Sequence, residues 1–174
     1  MRKLFFIPFI CFLFSCAYKS VPLKGNYDEK PFELIVEKNK DVIWDNLIDF
    51  FATKGLSIKL IDRTSGLILS DRSLLTWTYE DAKGKLENPA AWVVLPKIVD
   101  PGTMKPVSFA QVYGDWNVRI KEIDKDKTKI NVNLVNISYT STIYAFMSTV
   151  PTSTVYHDGK STKVFEKLIS EQIK

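Results

Sequence analysis

The residues best suited to chemistry gather near position 157. His157 is the only histidine of the chain, Asp158 follows it, and Ser153 and Ser161 stand close on either side, a nominal Ser/His/Asp set. Nucleophilic catalysis needs those three groups aligned in space, and the G-x-S-x-G turn that displays a reactive serine is missing. The set therefore reads as a polar loop. Asp71, Glu80, Asp81, Asp100 and Asp115 could serve as general acid and base if two of them met, but no spacing brings a pair together. A single histidine with so few thiols argues against a structural zinc site. Asp124 and Asp126 lack the glycine and distal glutamate of a calcium loop, and there is no glycine-rich phosphate cradle. The expectation is a protein with no catalytic residue, no metal site and no cofactor.

The two cysteines carry a different chemistry. Arg2 and Lys3 open the chain, an apolar stretch fills residues 4–14, and Leu13-Phe14-Ser15-Cys16 closes it before Tyr18, Lys19 and Ser20 turn polar. A membrane-spanning helix needs roughly 20 apolar residues, so this stretch reads as a cleaved export segment. The sequence Leu13-Phe14-Ser15-Cys16 resembles the signal of bacterial lipoproteins. The resemblance implies cleavage before Cys16, a diacylglycerol on its thiol and often a third chain on its amine. An ordinary secretory signal with an unmodified Cys16 is the alternative. In the sorting rule of enteric lipoproteins an aspartate after the cysteine retains the protein in the inner membrane. Ala17 stands there instead, which implies the periplasmic face of the outer membrane.

Loss of residues 1–15 discards Cys11 and leaves 22 basic against 20 acidic residues, a net charge of +2. So balanced a chain offers nucleic acid no basic patch. With one thiol left, the fold must be held by an apolar core rather than a disulfide. The expected organisation is residues 1–15 as signal, 16–31 as lipidated N-terminus and tether, and 32–174 as one domain. Pro22, Gly25, Asn26 and Pro31 among mixed charges suggest the tether.

Within the domain, Phe32, Leu34 and Val36 alternate as a first strand. A helix follows: Asn39 is its cap, Asp41 sits in its first turn and Gly55 ends it. Ile43, Trp44, Leu47, Ile48 and Phe51 form one apolar stripe, which makes Trp44 a core residue rather than a binding-site residue. Leu56, Ile58 and Leu60, the turn Asp62-Arg63-Thr64-Ser65-Gly66, and Leu67, Ile68 and Leu69 make a hairpin whose return strand could run on through Leu75, Trp77 and Tyr79. The helix from Asp41 to Phe51, Gly55, Asp62-Arg63 and Ser65-Gly66-Leu67-Ile68 together resemble the repeated domains of the lipoprotein subunit of the outer-membrane β-barrel assembly machinery. That likeness implies a helix-grip fold.

Residues 82–112 break the pattern with Gly84, Pro89, Pro96, Pro101, Gly102 and Pro106, and read as a loop insertion. It carries Trp92-Val93-Val94-Leu95, which must fold back on the core or face a partner. Trp92, Val94, Leu95 and Phe109 are the candidate interaction patch. A second hairpin sets Trp116, Val118 and Ile120 against Ile130, Val132 and Leu134 across a polar turn at 124–128, and Val135, Ile137 and Tyr139 shift phase as at a bulge. Residues 140–154 are ambiguous between strand and loop. A last helix, with Ser161 as cap, aligns Val164, Phe165, Leu168, Ile169 and Ile173.

The fold class is thus α+β, an antiparallel β-sheet with one long and one C-terminal helix on one face, helix-grip-like. The expected function is that of a membrane-anchored periplasmic lipoprotein, a non-enzymatic interaction or envelope-assembly module. Its partners would be the membrane, through acyl chains on Cys16, and envelope proteins. The alternative is a periplasmic carrier of a small apolar ligand in a cavity between sheet and C-terminal helix.

Overall fold

The computed structural model describes residues 19–27, 30–99, 111–144 and 151–174. In chain order the elements are β1 (Lys19–Val21), β2 (Phe32–Val36), α1 (Lys40–Thr53), β3 (Ile58–Asp62), β4 (Leu67–Ser70), β5 (Ser73–Leu74), β6 (Trp77–Thr78), β7 (Val93–Val94), β8 (Lys97–Val99), β9 (Val112–Asp124), β10 (Lys127–Tyr144), β11 (Pro151–Tyr156), β12 (Lys160–Ser161) and α2 (Val164–Ile173). The protein is mixed α+β, with mostly antiparallel sheets and two helices, one of them C-terminal.

The long ribbon of β9 and β10 is the backbone of the fold. Its register sets Ile120 opposite Ile130, Val118 opposite Val132 and Trp116 opposite Leu134. All six side chains are buried, while Asn117, Arg119, Lys129 and Asn131 alternate with them. One face is therefore apolar and the other polar, as period-two alternation requires. On one side of the ribbon β4 and β5 pair with β9, and β3 continues beyond β4. On the other, β2 pairs with residues 128–132 of β10 and β11 with residues 139–144.

The apolar face is covered by α1 and α2, which also pack on each other. Asn39 caps α1 by accepting the Val42 N–H at 3.0 Å. Gly55 takes the left-handed conformation beyond the helix end (φ 64°), where a side chain would be disfavoured. The stripe of α1 is wider than its spacing suggests, because Phe50 joins Ile43, Trp44, Leu47 and Phe51 in the core. Phe51 stacks on Trp116 with ring centroids 4.2 Å apart, and Phe165 of α2 approaches the same indole at 6.0 Å. Arg63 in the β3–β4 turn reaches back to Asp41 at 2.9 Å and lies over the Trp44 ring, fixing the turn against the start of α1.

Several expectations are corrected. The return strand does not run unbroken to Tyr79: the β4–β9 pairing stops at Leu69, Ser70 stays opposite Ile58 and accepts the Trp116 N–H on its hydroxyl (2.8 Å), and the chain re-pairs with β9 as β5 before moving away as β6. Ser161 is not the cap of α2. Lys163 is, in the left-handed conformation (φ 66°), while the Ser161 hydroxyl accepts the Lys163 N–H and donates to Glu166. The segment expected as a free tether is paired over Lys19–Val21, where β1 adds to β8 with Lys19 opposite Val99 and Val21 opposite Lys97. Of the two outcomes open to the insertion, facing a partner or folding back, its Val93–Val94 segment takes the second: β7 pairs in parallel with β6 and antiparallel with β12.

Candidate functional site

The burial of the insertion decides the fate of the expected patch. Val94 and Leu95 are enclosed, and Trp92 is half-buried with its ring 4.9 Å from that of Phe165. Val94 and Leu95 therefore present no surface to a partner, while Trp92 keeps part of its indole exposed beside α2. Phe109, Asp100 and Cys16 lie outside the described residues. The nominal catalytic set is not assembled either. The Tyr139 hydroxyl donates to Asp158, Ser161 donates to Glu166, and His157 is solvent-exposed. Asp115 accepts from the Asn136 side chain at 2.7 Å and Asp81 collects the Lys83 and Lys85 N–H groups of its own turn. Among the described residues no three His, Cys, Asp or Glu converge as metal ligands.

Two arrangements stand out instead. The first fastens the N-terminal segment. Glu80 is only 7% exposed, and its carboxylate accepts the Lys24 N–H at 2.7 Å, the Gly25 N–H at 2.8 Å and the Tyr27 hydroxyl at 2.6 Å. The Lys24 ammonium adds a bond to the Ala82 carbonyl. Burial alone would raise the Glu80 carboxyl, but the Tyr27, Lys24 and Gly25 bonds and the Lys24 charge together hold it below the ordinary glutamate value. Burial, then the bond and charge of Glu80, push the Tyr27 phenol up. Residues 19–27 are thus secured twice, by a strand pair at β8 and by a charged hydrogen-bond cluster at Glu80. Sequence reading missed this cluster because its partners lie 53 to 56 residues apart.

The second is a cleft of about 380 Å³ beside β10, lined by residues 133–137 and by His157, Gly159, Lys160, Ser161 and Lys163. It lies where the outer edge of β10 changes neighbours: β2 ends at Val132, β11 starts at Tyr139, and no described strand pairs between them on that side. The register with β9 slips here between Val135 and Ser138, and Asn136 is left-handed (φ 52°). The expected bulge thus opens one wall of the cleft.

No helix among the described residues is long and apolar enough to cross a membrane. Compared with known proteins, the chain matches no family model and no curated protein.

Proposed function

We propose that this chain is a lipid-anchored envelope lipoprotein whose α+β domain works as a non-enzymatic interaction or assembly module on the periplasmic face of the outer membrane. The reading begins at Leu13-Phe14-Ser15-Cys16, and one structural observation carries it further: the fastening of residues 19–27 to the domain. Only Ala17 and Tyr18 separate Cys16 from β1. Three extended residues reach about 11 Å, so acyl chains on Cys16 would hold the domain close against the bilayer instead of on a free tether of roughly 20 Å. Each buried methylene contributes about 0.8 kcal/mol, and two or three chains make a stable anchor.

The packed core supports a module that acts through its surface over a carrier that acts through a cavity. Phe51, Trp116 and Phe165 fill the space between the helices and the sheet. We read the arrangement of α1 and α2 on that sheet as helix-grip-like. The test is Cys16→Ser followed by fractionation. The expected result is a shift from the membrane to the soluble periplasmic fraction with the fold intact; continued membrane retention would overturn the anchor.

A further inference from the structure

We propose that the cleft beside β10 is a docking site for a short, extended peptide bearing carboxylates, which adds a strand in the break between β2 and β11. This inference does not depend on acylation of Cys16. β2 and β11 both run antiparallel to β10 and lie on the same edge of it, one ending its pairing at Val132 and the other at Tyr139. Between them residues 133–138 of β10 present an edge without a paired strand among the described residues. At about 3.3 Å per residue the break is roughly 17–20 Å long once the bulge is allowed for, the length of five or six extended residues. An open edge is a template for a further strand, with main-chain bonds supplying affinity and side chains supplying choice.

The charge of the cleft selects the occupant. Lys160, Lys163 and His157 line it, and no carboxylate does. The acids at its margin are already engaged: Asp158 with Tyr139, Asp115 with Asn136, and Glu166 with Ser161 and with Lys163 itself at 3.7 Å. Lys163 is held in place with unusual effort. Its backbone is left-handed, its N–H is taken by Ser161, and its ammonium donates to the Lys30 carbonyl at 2.8 Å and lies 3.7 Å from the fully buried Glu166. A non-glycine residue in this conformation is strained, and such strain gathers at ligand clamps. An ammonium has three donors, so one remains for a carboxylate of the guest. The volume of about 380 Å³ lies in the range of ligand clefts, roughly 300–1,000 Å³.

The experiment titrates isotope-labelled protein with the peptide acetyl-Glu-Val-Glu-Val-Glu-amide and follows backbone amide shifts. Beside it run the glutamine version, a version N-methylated at alternate residues, and inorganic phosphate. The expected result is saturable shifts centred on residues 133–138 and 157–163, with affinity about tenfold lower for both altered peptides. Lys160→Glu should weaken binding of the acidic peptide by a similar factor, with the amide shifts of Trp116 and Val118 unchanged as the check on folding. Absence of saturable shifts, shifts centred elsewhere, equal binding of the glutamine or N-methylated peptide, or the same shifts from phosphate alone would each overturn the proposal.

Discussion

Glu80→Ala removes three hydrogen bonds at once, those from Lys24, Gly25 and Tyr27. Bonds to a charged acceptor contribute about 1.5–3 kcal/mol each when one partner is deleted. The full sum is not expected, because residues 24, 25 and 27 are partly exposed and water can replace the lost acceptor. A loss of about 3 kcal/mol in the docking of the N-terminal segment is the working figure, a shift on the order of a hundredfold in its opening equilibrium. Hydrogen exchange reads this directly. The amides of β1 that donate to β8, alternate ones in an antiparallel pair, do not touch Glu80 and should exchange on the order of a hundredfold faster in the variant. The Val118 and Ile130 amides in the central ribbon should not change. Glu80→Gln, which keeps an acceptor but loses the charge, should fall between. Unchanged protection of the β8-bonded amides of β1 in Glu80→Ala would mean that β1 is held by strand pairing alone.

The same cluster sets a pH dependence. The Glu80 carboxyl is lowered in the fold, so its contribution is complete above the ordinary glutamate pKa of about 4.3 and is lost as pH falls through the lowered value. The Tyr27 phenol is raised, so its contribution is complete below about 10 and is lost as pH rises through the raised value. Protection of the β1 amides bonded to β8 should therefore be flat across neutral pH and fall at both extremes; a loss centred near neutrality would contradict this. Gly66 and Gly55 are both left-handed, but a Cβ on Gly66 would come 2.0 Å from the Ile120 carbonyl oxygen while one on Gly55 would meet nothing within 4 Å. Urea unfolding should show Gly55→Ala costing about 1 kcal/mol and Gly66→Ala clearly more, above about 2 kcal/mol; equal costs would show that the ribbon yields. Trp116→Ala should cost about 3–5 kcal/mol by the same measurement, because the ring is fully buried and stacked on Phe51.

What the sequence makes legible is what local periodicity and capping govern. Asn39, Asp41 and Gly55 mark α1, the alternation of Trp116, Val118 and Ile120 with Ile130, Val132 and Leu134 marks the central ribbon, and the phase change after Leu134 marks its bulge. The small sheets are another matter. β1, β6, β7, β8 and β12 are two or three residues long, too short for a period to show. Their partners are far apart in sequence, as with Lys19 and Val99 or Lys160 and Val94. Long-range pairing also explains why Val94 and Leu95 could pass, with Trp92, for a surface patch: each is apolar in a proline-rich stretch, and the pairing of β7 with β6 and β12 turns this segment inward, with Val94 and Leu95 buried. Glu80 reads in sequence as one acid among many because its three partners come from a segment with tether-like composition. Nothing local marks the cleft beyond the bulge itself.

Intact-mass and peptide mass spectrometry of the protein extracted from bacterial membranes decides whether an acylated Cys16 is joined almost directly to the folded domain. The expected mature chain begins at Cys16, carries the mass of two or three acyl chains on that residue, and incorporates a clickable fatty acid, a labelling that Cys16→Ser abolishes. A chain beginning elsewhere, or beginning at Cys16 with a free thiol, would contradict it.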